Sequence, residues 1–157
     1  MTRADLVVSL FVVVARLASA QAPPEAPRVW EINGIRLEPA QVERLADDMA
    51  TRTVAAVEEK IPDIALRDGQ AEQMRTVYRG VALEVFAEVV KEVERTDLSD
   101  AEKEARVREL VLAGQARSHD ALEGILDPTQ MARYASWESR QVEAFKSRRW
   151  NDRRRRR

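Results

Sequence analysis

The stretch LDPTQMARY, Leu126 to Tyr134, reads as the start of a helix, and a near echo, LEPAQVERL, stands at Leu37 to Leu45. In each copy an acidic residue (Glu38, Asp127) takes the N-cap and proline (Pro39, Pro128) takes the first helical position, where no amide donor is missed. Glutamine (Gln41, Gln130) three residues after the cap can reach back to it as a capping box. Leu37 and Leu126 before the caps, with Val42 and Met131 at the fourth helical position, supply hydrophobic staples. Asp127 is the better cap, so the second copy is the stronger start.

Working outward, the apolar spacing predicts four helices. The first runs from about Pro39 to Lys60, with Val42, Leu45, Ala46, Met49, Thr53, Ala56 and Val57 on one stripe and Pro62 as its stop. The second runs from about Gly69 to Arg95 on Met74, Val77, Tyr78, Val81, Val85, Val89 and Val93, broadened by Phe86 and Val90. A third begins at SDAE, where Ser99 and Glu102 form a capping box, and continues to about Leu126 on Val107, Leu110, Val111, Leu122 and Ile125. The fourth follows Asp127 to about Trp150, with Met131, Tyr134, Trp137, Val142 and Phe145 as its apolar side. Short connections make neighbours antiparallel, so the expected fold is all-α, either a closed bundle or an open curved cradle. Five glycines and six prolines in 157 residues, with 45% hydrophobic and 34% charged residues, agree with one helix-rich domain.

Ahead of the helices, MTRADLVVSLFVVVARLASA has Arg3, an apolar run from Leu6 to Ala15, and small residues Ala18 and Ala20, the pattern of a secretory signal peptide cut after residue 20. A ten-residue run falls short of the about 20 apolar residues that cross a bilayer. Residues 21–36 then form a Pro-rich linker and a short N-terminal segment, residues 37–150 the helical domain, and residues 151–157 an Arg-rich tail. The expected compartment is a bacterial periplasm, and a chain with no cysteine must hold its fold there by helix packing or oligomerisation.

Charge is unevenly placed. Loss of residues 1–20 removes Arg3, Arg16 and Asp5 and leaves a net charge of −2; residues 146–157 carry +7 and residues 21–145 carry −9. The tail residues Arg148, Arg149, Arg153, Arg154, Arg155, Arg156 and Arg157 suit acidic partners or anionic lipid head groups, with Trp150 as an interfacial anchor, or serve as a solubilising extension. An exported protein is not expected to meet nucleic acid.

No catalytic constellation can be assembled. The chain lacks a Gly-rich phosphate loop, a Gly-x-Ser-x-Gly elbow and a His-paired nucleophile, so no enzyme and no cofactor is expected. His119 is the single histidine, and a zinc site there would need carboxylates from other helices, so no metal is expected. Glu88, Glu92 and the Glu104–Arg108 pair read as solvated helix faces. Tyr134, Trp137 and Phe145 lie along one side of the last helix, either as core or, if exposed, as client or dimer contacts.

Two Leu-x-Pro-x-Gln phrases, opening the first and last helices of a small exported all-α chain, resemble the LTXXQ-motif (Spy/CpxP-like) periplasmic chaperone family, with Glu38 and Asp127 where the motif has threonine. The resemblance implies a thin, curved, dimeric cradle of helical hairpins that holds unfolded or misfolded proteins without ATP, as part of a stress response. Leu37, Pro39, Gln41, Leu126, Pro128 and Gln130 would then organise structure. Separately, VWEINGIRLEPAQVERLADDMA is similar to the start of the SurA-like foldase module, with Val29 to Gly34 as a short strand or turn and no isomerase domain following. A helical protein of the envelope that regulates or supports one dedicated partner is the alternative from a different class.

Overall fold

The computed structural model describes residues 30–32 and 35–147, with side chains from residue 38 onward. Two short strands, β1 (Trp30–Ile32) and β2 (Ile35–Leu37), precede four helices, α1 (Pro39–Lys60), α2 (Gln70–Val93), α3 (Asp100–Leu122) and α4 (Pro128–Ser147). The all-α expectation holds for the body of the chain. The addition is an antiparallel hairpin that pairs Trp30 with Leu37, Glu31 with Arg36 and Ile32 with Ile35. Its first strand falls in the short N-terminal segment, where Val29 to Gly34 read as a short strand or turn, and its second strand places Leu37 at its end. The leader at residues 1–20 and the tail at residues 148–157 lie outside the described residues.

Helix boundaries follow the local chemistry. Ser99 Oγ accepts from the Glu102 amide at 3.4 Å while Glu102 Oε2 accepts from the Ser99 amide at 2.8 Å, the reciprocal box that starts α3. Gly69, at φ +83°, is the N-cap of α2, a left-handed conformation that costs glycine nothing. At the end of α3 the Ile125 and Leu126 amides both turn back onto the Leu122 carbonyl, at 3.0 and 2.9 Å. The helix therefore stops at Leu122, short of the expected Leu126, and frees Leu126 to precede α4.

Two apolar clusters run through the molecule. One joins Val42, Ala46 and Met49 of α1 to Ala82, Val85, Phe86, Val89 and Val93 of α2, Val107 and Val111 of α3, and Phe145 of α4. The other joins Val54 and Val57, Ile61 and Ile64, Met74, Leu122, Leu126 and Tyr134. Each helix contributes one half to each cluster in alternating order, so the chain runs up, down, up and down. Ala50 and Val54 belong to the buried face of α1, whereas Thr53 and Ala56 sit at its edge.

Packing is unequal. α1 lies along α2 and α2 along α3, whereas α4 touches α3 over a short stretch and does not pack along the length of α1. The α2–α3 approach is close because Gly114 lacks a side chain: a Cβ there would stand 2.5 Å from Val85 Cγ2. Arg117 spans the same pair of helices, its Nη1 and Nη2 donating to Glu88 Oε1 and Oε2 at 3.4 and 3.1 Å. Glu88 thus pairs across helices, while Glu104 and Arg108 pair along α3 at 3.9 Å. Arg79 of α2 reaches Asp47 of α1 at 2.6 Å.

Candidate functional site

The repeated phrase has two different fates. In the first copy Gln41 Oε1 accepts from the Glu38 amide at 2.7 Å, and Gln41 remains exposed. In the second copy Asp127 Oδ1 accepts from the Thr129 and Gln130 amides at 2.9 Å each, and Gln130 Oε1 accepts from the Asp127 amide at 3.0 Å. Gln130 is buried, and its Nε2 donates to the Ile64 and Ala65 carbonyls at 3.1 and 2.9 Å. The same local grammar therefore starts both helices, but only the second copy also makes a tertiary junction.

The partner of that junction is Gln70, which the reading of the sequence missed. Gln70 Oε1 accepts from the Arg67 amide at 2.7 Å and Gln70 Nε2 donates to the Ile125 carbonyl at 2.7 Å. The two carboxamides also face one another at 3.0 Å in both directions. A common spacing was available as a signal: Leu66 precedes Gln70 by four residues, as Leu126 precedes Gln130. Leu66-x-x-x-Gln70 lacks proline at the first helical position, which hid it. Gln130 caps its own helix, Gln70 secures the turn ahead of α2, and each holds the main chain just ahead of the other's leucine.

The α1–α2 loop that these contacts hold carries two residues at positive φ, Asp63 at 55° and Ala65 at 42°. Such backbone persists where its surroundings fix it. Arg133 donates to the Pro62 and Asp63 carbonyls, and Arg67 Nη2 meets Asp127 Oδ2 at 2.6 Å. Leu126, 5% exposed, packs beneath. The phrase is thus a clamp that ties the α1–α2 turn to the α3–α4 turn at one end of the molecule.

Between α1 and α4, where the helices do not close, a cleft of about 710 Å³ opens. Met49, Ala50, Ala82, Val85, Val111 and Phe145 give it apolar walls, and all four helices line it. Arg52, Glu59, Lys60 and Arg140 stand exposed at its rim. Of the three aromatic side chains singled out on α4, Tyr134 and Phe145 are each 2% exposed and belong to the two cores, while Trp137 is half-buried in the cleft wall. Tyr134 and Trp137 rings lie 5.9 Å apart.

His119 takes part in a polar chain beside this cleft. Its Nδ1 lies 2.6 Å from Glu138 Oε2; Tyr134 donates its hydroxyl to Glu138 Oε1 at 3.1 Å, and Tyr78 donates to the Tyr134 oxygen at 3.0 Å. Burial pushes both tyrosine hydroxyls far above their ordinary range, so both stay protonated donors. The chain links α2, α3 and α4 side by side. Among the described residues no group of three or more His, Asp or Glu could hold a metal ion. No described helix is long and apolar enough to cross a membrane.

The fold and the site together define an all-α protein of two-turn-clamped antiparallel helices with an open, apolar interhelical cleft. No family model, no curated protein and no solved structure matches this chain.

Proposed function

We propose that this chain is an exported, non-catalytic client-binding protein that holds apolar segments of unfolded or misfolded proteins without ATP. The observation that carries the reading is the cleft between α1 and α4, with apolar walls and a charged rim. Apolar walls supply weak, sequence-tolerant attraction, and rim charges keep the opening wetted while adding adaptable contacts. The leader-like residues 1–20 support export to the periplasm. The paired Leu-x-x-x-Gln helix starts support the likeness to the LTXXQ-motif chaperones, and with it a stress-linked homodimer. The hairpin ahead of α1 fits the foldase-module likeness, which also implies client holding.

The test is light scattering of heat- or reductant-aggregated model proteins, with and without the mature chain and with no nucleotide. Suppression near equimolar ratio is expected. No effect on several unrelated model proteins would overturn the reading in favour of one dedicated partner.

A further inference from the structure

The cleft is not uniformly apolar: Thr53, Tyr78, Ser118 and Gln141 line it beside the rim charges, and so do two side chains that present acceptor oxygens. Glu138 lines it with a side chain 13% exposed, and Gln115 lines it with a carboxamide oxygen that is closed to solvent and has no hydrogen-bond partner among the described residues. Both are acceptors. Glu138 receives one donor at each oxygen, from Tyr134 and from His119, and each carboxylate oxygen has lone pairs to spare. A carboxylate this deep calls for a compensating cation. His119, 30% exposed, supplies one only while protonated.

The rim does not supply it either. Arg52 has Asp48 at 3.7 Å, Lys60 has Glu59 at 2.7 Å, and Arg140 donates to Ser136 Oγ at 3.0 Å. Apolar walls, a carboxylate with little solvent and an orphaned acceptor oxygen together select an apolar body bearing a cationic donor. About 710 Å³ lies within the range of small-molecule sites, about 300–1,000 Å³.

We propose that the cleft between α1 and α4 is a binding site for amphiphilic amines, with the ammonium group on Glu138, a further donor contact to Gln115, and the apolar body along Met49, Val85, Val111 and Phe145. The ammonium would complete the charge balance of Glu138, and a rotation of the Gln115 carboxamide would bring its oxygen to the ligand. This goes beyond client holding and stands independently of it, since aggregation suppression is read by scattering and amine binding by calorimetry.

The test is isothermal titration of the full chain at pH 7.5 with dodecylammonium, dodecanoate and dodecanol, each below its micelle concentration. Dodecylammonium is expected to bind one per chain and at least about 10-fold more tightly than dodecanoate, the scale of one hydrogen bond to a charged group. Glu138→Gln is expected to lower dodecylammonium affinity about 10-fold or more and leave dodecanol within about 2-fold, because only the charge is removed. If Glu138→Gln fails to fold, Gln115→Leu decides: weaker dodecylammonium binding supports the site. Equal or tighter binding of dodecanoate, lost on Arg140→Ala, would overturn the proposal and assign selection to the rim cations. Absence of any binding, or binding unaffected by Glu138→Gln and Gln115→Leu, would overturn it as well.

Discussion

Gln70 and Gln130, sixty positions apart, present their carboxamides to each other in a reciprocal pair, Nε2 to Oε1 at 3.0 Å both ways. Gln130 also closes the capping box of its own helix, while Gln70, the first residue of α2, accepts from the Arg67 amide in the turn ahead of it. At Gln130 helix initiation and tertiary closure are one event, because the side chain that satisfies the helix start is the one that fixes the opposite turn.

Gln130→Leu should therefore destabilise the protein by about 2–3 kcal/mol, since it orphans buried carbonyls of the α1–α2 loop and breaks a capping box. Gln41→Ala, at the exposed copy of the phrase, should cost at most about 1 kcal/mol. The double variant of Gln70 and Gln130 to leucine should cost less than the two singles combined, by at least about 0.5 kcal/mol of coupling. Urea denaturation of the four variants beside the natural chain decides it; equal losses at Gln41 and Gln130 would contradict the clamp.

Asp127→Ala should cost about 0.5–2 kcal/mol through the lost cap to Thr129 and Gln130. Arg67→Ala should cost no more than about 1 kcal/mol, because Arg67 is 69% exposed and water screens its pair with Asp127. Thermal melts of the two variants separate the cap from the ion pair; a larger loss at Arg67 would reverse the assignment.

Gly114→Ala should lower stability although alanine is the better helix former by about 1 kcal/mol. The added methyl meets Val85 Cγ2 at 2.5 Å, and overpacking of a stiff β-branched neighbour costs about 1–3 kcal/mol, for a net loss of up to about 2 kcal/mol. Chemical denaturation reads the sign directly, and a gain would mean that Val85 turns aside freely.

Stability should fall on the acid side partly through the start of α3. The Ser99 hydroxyl and amide hold the Glu102 carboxyl below its ordinary value of 4.5. A lowered folded-state value gives stability that is complete above the unfolded value and lost as pH drops through the folded one. The melting-temperature gap between the natural chain and Ser99→Ala should hold steady from pH 7 to 5 and narrow below about pH 4.5. A gap unchanged to pH 3 would remove Glu102 from the account.

Removal of Arg153 to Arg157 should leave helix content and melting unchanged, because a run of like charges brings no apolar surface to the core. Circular dichroism of the shortened chain checks this, and loss of the helical signal would refute it.

The bounds of the helices were legible because their causes are local. Pro39 and Pro128 at first helical positions, the Ser99 and Glu102 box, Pro62 after α1 and the stripes through Met74 to Val93 all act within a few residues. A short strand or turn was legible at Val29 to Gly34, but its pairing with Ile35 to Leu37 was not, since three-residue strands carry too little alternation to show a partner.

Helix count, helix direction and the capping role of the repeated phrase were determined by the sequence itself, since periodicity and caps are short-range properties of the chain. Which copy of the phrase became a junction was decided by tertiary structure alone. Gln41 and Gln130 have the same local setting, but among the described residues only Gln130 hydrogen-bonds to another chain segment, and that meeting depends on the 59 residues between it and Gln70. The cleft was decided in the same way: α1 and α4 each carry an apolar stripe suited to a closed bundle, yet the two helices do not pack along each other, and their inner faces line the cleft instead. A stripe records that a face is buried, and only packing sets what it is buried against.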